Sequence, residues 1–472
     1  MAEWEAVIGL EIHVQLKTRT KMFCSCENVW GEDPNTRTCP VCLAHPGALP
    51  VPNATAIEWT LKLGLALGCE VAERALFHRK HYWYPDLPKG YQISQYDVPL
   101  CAGGRFLLPG PDGDREIGIV RAHLEEDAAK TVHVGGAGGR IAGAAHSLVD
   151  FNRGGTPLVE VVTEPDIRSP EEARRFLQLL RQTVVELGIS DAEMEKGTLR
   201  CDANVSVREL GEAGYRTKTE LKNMNSFKFV ADGIAAEVER QVAAYERGEG
   251  VVQRTLHYDP GGGRVSPLRS KEEADDYRYF PEPDLVPVEP AAALVERLRG
   301  EIPEPPGRRI RRLEPDVGFK LASELVSSGR DPLLAPIAAN GVEARAAANF
   351  LMNDYAGDGD RRADPALIAE TIKRRRDLPP DVYREAAAAA SVGDEGAVTA
   401  LLSQTAIADE SALGPVVDAV LAENEAQVAA YRSGKQGLLG FFVGQVMQRT
   451  GGRADPRRVN GLVRERLDRA GS

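Results

Sequence analysis

The stretch from Val7 to Leu16, VIGLEIHVQL, alternates between apolar and polar positions. A period of two predicts a β-strand with one buried face and one polar face. The polar face carries a carboxylate, Glu11, and an imidazole, His13, two residues apart. A half-solvated strand and a ligand-bearing strand both fit this pattern. The second interpretation gains support only if other strands bring carboxylates to the same place.

A second alternating strand is predicted over Leu199–Arg208, LRCDANVSVR. Arg200 and Asp202 share its polar face, whereas cysteine, alanine and valine occupy the other face. Charges of both signs on one strand face are more typical of a cleft lining than of an ordinary solvated surface. Asp202 is therefore a second candidate for the same site.

Two further predicted strands carry acids. Glu160 lies inside the apolar stretch Leu158–Val162, where a buried carboxylate is unfavourable unless it is paired or binds a metal. The stretch Ile117–Asp127, IGIVRAHLEED, ends in three acids. Adjacent residues of a strand point to opposite faces, so spacing leaves open whether Glu125 or Glu126 faces inwards.

Helical periodicity dominates from Ala291 onwards. The pattern predicts a first domain that contains the strands over residues 1–290, an all-α domain over 291–403 and a small helical tail over 404–472. The tail from Met447 to Ser472 has seven arginines against three acids, an excess of four positive charges. A solvated helix face and a nucleic-acid contact are both compatible with this excess.

Four cysteines form two close pairs across a turn-rich loop: Cys24, Cys26, Cys39 and Cys42. Thiolates at this spacing can surround one tetrahedral Zn²⁺. Because all four ligands would be protein sulfur, such a site would be structural and closed to substrate. The alternative is a set of free thiols.

The segment Phe77–Asp97 is dense in aromatic and cationic side chains and contains two prolines. Cations among aromatic rings suit phosphates and stacked bases, although a packed aromatic loop gives the same composition. The candidate ligand-binding residues here are Arg79, Lys80, Tyr82, Lys89 and Tyr91, with Arg200 added from the second strand.

The amino-acid composition limits the classes of protein to which the chain can belong. The chain has 472 residues, 43% of them apolar, and a formal net charge of −12. It contains no apolar run of membrane-spanning length and no basic-then-apolar leader, so we expect a cytoplasmic protein without membrane contact. The acidic balance disfavours a chain coated in nucleic acid but permits local basic patches.

Together the predicted strands would bring several acids and one histidine to a single cleft. Carboxylates in that number repel one another unless a divalent cation lies among them, and oxygen-rich ligation suits Mg²⁺ or Mn²⁺. Cations nearby would bind phosphates, so the pattern indicates phosphoryl transfer. The candidate catalytic residues are Glu11, His13, Glu126, Glu160 and Asp202.

Several longer motifs resemble one family. VIGLEIHVQLKTRTKMFC, HYWYPDLPKGYQISQYD, HLEEDAAK, VDFNRGGTPLVEVVTEPDIRS, LRCDANVSVR, ELKNMNSFKFV and DDYRYFPEPDLVP occur in that order. Together they closely resemble the B subunit of the tRNA-dependent (aspartyl/glutamyl-tRNA) amidotransferases. The resemblance covers the whole chain, since NEAQVAAYRSGKQGLLGFFVGQVM is similar to the tail of that family.

The resemblance implies an α+β fold: a large cradle domain with an antiparallel sheet, an all-α domain and an α-helical tail domain that binds tRNA. It implies ATP-dependent phosphorylation of the side-chain carboxylate of Glu on tRNA(Gln), or of Asp on tRNA(Asn), followed by amidation with ammonia. The glutaminase would be a separate amidase, the A subunit, and a small C subunit would complete a heterotrimer.

The resemblance also implies roles for residues. Glu11, His13, Glu126 and Asp202 match Mg²⁺ ligands, which favours Glu126 over its neighbour, and Glu160 lies near the metal. ATP, Mg²⁺ and a structural Zn²⁺ are the expected cofactors. The competing hypothesis is a non-catalytic tRNA-binding scaffold, and a third is a zinc-dependent RNA regulator.

Overall fold

The computed structural model describes residues 3–135, 143–268, 277–357, 363–404 and 406–469. The chain forms two compact units, Met1–Arg311 and Arg312–Ser472. Within the first unit the helix α4 (Ala292–Glu301) packs on α1 (Ala54–Ala66), and the domain boundary at residue 290 stays a prediction. The boundary at residue 403 stays a prediction.

A nine-stranded sheet organises the first unit. Neighbouring strands run antiparallel except for one parallel pair, β11 and β12, so the predicted antiparallel sheet domain is confirmed. Across the sheet the order is β13 (Arg264–Pro267), β12 (Thr255–Asp259), β11 (Thr219–Met224), β10 (Leu199–Glu209), β1 (Trp4–Gln15), β9 (Pro157–Thr163), β6 (Gly113–Glu126), β5 (Cys101–Gly110) and β2 (Glu70–Val71).

Strand β1 lies in the middle of this sheet and has the predicted alternation. Its apolar side chains at Leu10, Ile12 and Val14 are almost fully buried, whereas Glu11 and His13 are partly exposed on the other face. Three helices cover the apolar face: α1, α2 (Pro170–Glu186) and α3 (Phe227–Glu246). The opposite, polar face of the sheet carries the candidate functional residues Glu11 and His13.

Helix boundaries follow local capping chemistry. In the sequence, Ser169 followed by Pro170 predicts the start of a helix. The Ser169 hydroxyl does accept a hydrogen bond from the Glu172 amide, and Pro170 occupies the first turn of α2. The hydroxyl of Ser226 accepts from the Phe229 amide and begins α3 in the same way. These two caps determine where the helices α2 and α3 begin.

The first unit contains two further, smaller sheets. The strands β14 (Phe280–Pro281), β3 (His78–His81) and β4 (Tyr91–Ser94) form one of them. A hairpin of β7 (Lys130–Val134) and β8 (His146–Asp150) forms the other.

In the described part of the second unit all regular elements are helices, as predicted. Helix α5 (Pro306–Val317) spans the boundary between the units. Then follow α6 (Phe319–Ser327), α7 (Leu334–Ala339), α8 (Ala344–Asn353), α9 (Pro365–Arg374), α10 (Pro380–Ser391), α11 (Glu395–Leu402), α12 (Glu410–Glu423), α13 (Glu425–Arg432), α14 (Leu439–Arg449) and α15 (Pro456–Arg469).

The apolar periodicity of the tail predicts a single helix over Gly414–Arg432, but the structure has two helices there, α12 and α13. The chain leaves helical geometry at Asn424, with φ −122° and ψ 44°, and the Asn424 side chain donates a 2.8 Å hydrogen bond to the Val420 carbonyl. Helices α12, α14 and α15 enclose a separate apolar core that includes Val417, Phe442 and Val463. The last residues of the predicted final helix, from 470 onwards, lie outside the described part.

Among the described helices, none is both long enough and apolar enough to cross a membrane.

Candidate functional site

A row of polar side chains crosses three neighbouring strands on the polar face. His13 on β1 lies directly opposite Glu160 on β9, and Glu160 lies directly opposite His123 on β6. The His13 Nε2 is 3.5 Å from Glu160 Oε2, and the His123 Nε2 is 3.6 Å from the same oxygen. The sequence analysis identified His13 and Glu160 but missed His123.

Glu125 completes the group. Its Oε2 accepts a 3.0 Å hydrogen bond from the Ser94 hydroxyl and lies 3.8 Å from His123 Nε2. His13, Glu125 and Glu160 each offer a ligand atom, and these atoms all lie within 4.8 Å of one another. We call these three residues the carboxylate–histidine cluster.

Glu126 has different contacts from those of Glu125. Its carboxylate forms an ion pair with Lys89 and accepts a 3.0 Å hydrogen bond from the Ile93 amide. Glu126 is absent from the cluster, whereas Glu125 belongs to it. The geometry therefore favours Glu125 of the two acids that the spacing could not separate, and a ligand role for Glu126 stays a prediction.

A β-bulge explains this placement. The register between β6 and β9 shifts between Ile119 and Arg121. Before the bulge the buried apolar residues are odd-numbered, at Ile117 and Ile119, and after it they are even-numbered, at Ala122 and Leu124. One extra residue reverses which side chains face the core, so His123 and Glu125 turn to the polar face.

Neighbouring charges offset the cost of burying the ionised side chains of the cluster. Burial alone would raise the pKa of Glu160 and lower that of His13, because a low-dielectric surrounding disfavours charge. The contact with His13 and the charge of His123 outweigh burial and lower the pKa of Glu160. The contact with Glu160 and the charge of Glu125 outweigh burial and raise the pKa of His13. Burial likewise opposes a lowered pKa of Glu125, but the His123 hydrogen bond and the Lys80 charge prevail. Both carboxylates are therefore held as anions.

Glu11 and Asp202 lie in the next row of the same face. They are directly opposite each other on β1 and β10, one two-residue step from His13 along the strand, or about 7 Å. Asn204 donates a 3.0 Å hydrogen bond to Glu11, and Lys222 lies 2.8 Å from Asp202. These two acids share the polar face but are outside the carboxylate–histidine cluster.

The predicted phosphate-binding cations differ in availability. Lys80 lies close enough to Glu125 and Glu160 for their charges to raise its pKa against burial, and its ammonium is 4.8 Å from the Tyr277 ring centre. Arg79 instead forms two 2.7 Å hydrogen bonds with Glu282. Lys80 is therefore the cation of the loop that faces the cluster.

Other predicted ligand-binding residues have structural contacts. Arg200 lies 3.0 Å from Asp127, a buried acid that sequence reasoning missed. The Arg79 guanidinium lies 4.4 Å from the centre of the Tyr91 ring. Burial, followed by nearby acids, raises the pKa of Tyr82. A direct role for these residues in ligand binding stays a prediction.

The four cysteines of the first loop converge as predicted. The sulfur atoms of Cys24, Cys26, Cys39 and Cys42 lie within 4.8 Å of one another, and the Cys39–Cys42 separation is 3.8 Å. Tetrahedral zinc with about 2.3 Å bonds places its sulfurs about 3.8 Å apart. The residues present therefore fit a zinc ion, and this cysteine cluster could bind one.

One member of the tetrad is already prepared as a thiolate. The hydrogen bond from Cys24 lowers the pKa of Cys42 to about 4 against the effect of burial, with help from the Cys39 amide and the Lys21 charge. The shared proton stays on Cys24, whose pKa is raised. Metal binding requires thiolates, so this polarisation favours it.

Comparison with known families defines the class of protein. Residues 6–296 match the GatB/GatE catalytic domain, and residues 390–467 match the GatB domain. The first match contains the whole carboxylate–histidine cluster and the cysteine tetrad.

Full-length relatives identify the particular family. The chain is 46% identical to the B subunit of the aspartyl/glutamyl-tRNA(Asn/Gln) amidotransferase of Moorella thermoacetica, over 98% of this chain and 100% of the relative. It is 43% identical to the protein of the same name in Anaeromyxobacter sp. (strain K) and 44% identical to that in Halorhodospira halophila, with 99% of each chain covered. The chain belongs to the family of amidotransferase B subunits.

Proposed function

We propose that this chain is one component of a cytoplasmic, glutamine-dependent, ATP-hydrolysing ligase that amidates Glu on tRNA(Gln), Asp on tRNA(Asn), or both. The observation that carries the proposal is the carboxylate–histidine cluster, which lies within the part of the chain that matches the GatB/GatE catalytic domain. A scaffold gains nothing from aiming two buried carboxylates and a histidine at one point, because burying them is unfavourable.

The reaction would proceed in two balanced steps. A side-chain carboxylate oxygen of the aminoacyl group attacks the γ-phosphorus of ATP, and ADP leaves. Ammonia then attacks the acyl carbon, inorganic phosphate leaves with the pair of electrons of the C–O bond, and the nitrogen loses one proton to the released phosphate or to water. The second step forms the new C–N bond of glutamine or asparagine.

The residues of the polar face fit a divalent cation such as Mg²⁺. Glu125 and Glu160 offer anionic oxygens, His13 offers a nitrogen, and Glu11 and Asp202 are close enough to hold bound water or substrate. A bound Mg²⁺ would neutralise charge on the transferred phosphoryl group.

Lys80 and Ser94 lie next to the cluster and would support the reaction in different ways. The Lys80 ammonium, held between the cluster and an aromatic ring, is placed to bind a phosphate oxygen. Ser94 holds the Glu125 carboxylate in one orientation through its hydroxyl. Fixed orientation of a ligand reduces the reorganisation that the transition state requires.

The proposed partners are an amidase (the A subunit), a small C subunit and the charged tRNA. The test is ADP formation by the complex of this chain with its amidase partner, with Mg²⁺ and ATP. ADP should form with Glu-tRNA(Gln) or Asp-tRNA(Asn) and not with uncharged tRNA. Equal ADP formation with charged and uncharged tRNA would contradict the proposed phosphorylation.

Two arginines of the tail are free to contact tRNA. Arg457 and Arg464 lie seven residues apart on one face of α15 and are exposed, and within the described residues neither has an ion-pair partner. Arg458 and Arg466, in contrast, pair with Glu410 at 2.9 Å and Asp418 at 3.0 Å.

The double variant Arg457→Ala/Arg464→Ala should bind tRNA roughly tenfold more weakly at low salt, because phosphate contacts supply most of the affinity. The slope of log affinity against log salt should fall by about one for each phosphate contact that the variant removes. The matched control is Arg458→Ala/Arg466→Ala, which removes paired arginines and should bind nearly as well as the wild type. The same weakening in both variants would show that the exposed pair has no special role.

The cysteine tetrad should hold a single zinc ion per chain. Replacement of Cys39 by serine should lower zinc content and thermal stability together, because metal binding contributes directly to the folding of such loops. Zinc is measured by elemental analysis of the purified complex. Cys69→Ala, which changes a cysteine outside the tetrad, should keep the zinc of the wild type, and a full zinc complement in Cys39→Ser would exclude the tetrad as the site.

A further inference from the structure

Lys21 is one of the largest fully buried side chains of the described core. Its exposed fraction is 0%, and within the described residues no carboxylate lies at ion-pair distance from its ammonium. The ammonium donates a 3.0 Å hydrogen bond to the Phe151 carbonyl and lies 3.8 Å from Cys42 Sγ. A buried ammonium is strongly unfavourable unless an anion balances it.

The cysteine tetrad can supply that anion. Four thiolates around one Zn²⁺ have a net charge of about −2, from four negative and two positive charges. Cys42 is the member of the tetrad that Lys21 reaches directly. The lysine is therefore placed where a tetrathiolate site leaves uncompensated negative charge.

Lys21 also contacts the turn Phe151–Gly155. Its Nζ bonds to Phe151 at the start of the turn, and the amide of the next residue, Met22, donates a 2.7 Å hydrogen bond to Gly155. The Gly155 amide in turn donates a 2.9 Å hydrogen bond to the Asp127 carbonyl. Asp127 follows the acids of β6 directly and binds Arg200 on the polar face.

We propose that Lys21 is the positioning counter-charge of the zinc–tetrathiolate site, and that it couples this site to the Phe151–Gly155 turn. The positive charge of Lys21 offsets the negative charge of the thiolates and so stabilises the zinc-bound form. When zinc holds Lys21 in place, the hydrogen bond from Lys21 to Phe151 also holds the turn in place. The inference rests on the proposed zinc occupancy of the tetrad and adds a residue that is not a ligand. Partners of this kind around a metal site typically change metal affinity by about 10–100-fold.

The test is zinc affinity, measured by competition with a chromophoric chelator, in the wild-type complex and in Lys21→Met. Met is similar in length and apolar, so it fits a buried position without the charge. We expect about tenfold weaker zinc binding. Zinc affinity within twofold of the wild type would overturn the proposal. A wild-type complex that binds no zinc would instead overturn the zinc assignment, which separates the two failures.

Two further variants separate charge from hydrogen bonding. Lys21→Gln keeps an N–H donor for the Phe151 carbonyl but removes the charge, and we expect it to lose zinc affinity as Lys21→Met does. Lys21→Arg keeps the charge and should restore most of the affinity. Wild-type affinity in Lys21→Gln would show that Lys21 only holds the turn. The control is Lys17→Met, which changes an exposed lysine paired with Asp191 and should leave zinc affinity unchanged.

A measurement on the unmodified chain covers the case in which these variants fail to fold. Amine-reactive labelling, analysed by mass spectrometry, should leave Lys21 unlabelled in the zinc-loaded complex and label it after a chelator removes the metal. Lys17 should be labelled equally in both states. Equal labelling of Lys21 with and without zinc would contradict the proposed coupling.

Discussion

Glu125→Gln is expected to lower tRNA-dependent ADP formation by about 100-fold, the loss typical of removing one preorganised electrostatic partner of a transition state. The amide keeps the shape of the carboxylate and its hydrogen bond with Ser94, but it removes the negative charge next to Glu160 and His123. A divalent cation would then lose one of the anionic oxygens of the carboxylate–histidine cluster. The measurement is ADP formation by the complex with charged tRNA.

Glu126→Gln is the matched control, because it makes the same chemical change one residue further along β6. Its side chain contacts Lys89 and the Ile93 amide and lies outside the cluster, so ADP formation per folded complex should stay within a few-fold of the wild type. The opposite result, loss in Glu126→Gln and not in Glu125→Gln, would support the ligand set implied by the family resemblance. The pair of variants thus decides between the two acids.

Lys89→Met should destabilise the first unit by about 3 kcal/mol, because removing one partner of a buried ion pair leaves the other charge without compensation. Only 14% of the Lys89 side chain and 4% of the Glu126 side chain are exposed. Both line a pocket of about 250 Å³, whose water would partly solvate the remaining carboxylate. That solvation sets the expected value at the lower end of the range for buried pairs.

The free energy of unfolding is measured by urea denaturation of the wild type, both single variants and the double variant Lys89→Met/Glu126→Gln. The double variant should recover most of the stability, because glutamine carries no charge and its carbonyl still accepts from the Ile93 amide. Equal destabilisation in Lys89→Met and in the double variant would show that packing, and not the unpaired charge, determines the effect.

Much of the fold followed from local patterns. The alternation in β1 predicted which of its residues are buried, because a period of two assigns side chains to faces without knowledge of neighbouring strands. The spacing of the cysteines predicted the tetrad, since two close pairs on one loop have few other arrangements. Ser169 and Pro170 predicted where α2 begins because capping is a local interaction.

Other features depended on contacts between distant segments. Lys21 carries no local pattern that would distinguish it from a surface lysine, and only the fold places it beside Cys42 and Phe151. The break at Asn424 was missed because the apolar periodicity of the tail continues through it. Arg79 was a reasonable phosphate ligand by composition, but its partner Glu282 is 203 residues away in sequence.

The sequence by itself determined the family, the antiparallel sheet domain, the helical second unit and the presence of His13, Glu160 and four convergent cysteines. Only the tertiary structure shows that Glu125, and not Glu126, lies in the carboxylate–histidine cluster. A bulge between Ile119 and Arg121 reverses the alternation of β6. The bulge is a feature of the pairing between β6 and β9, so the sequence of β6 alone does not reveal it. One inserted residue moves each following side chain to the other face, so local periodicity could not identify the acid that joins the cluster.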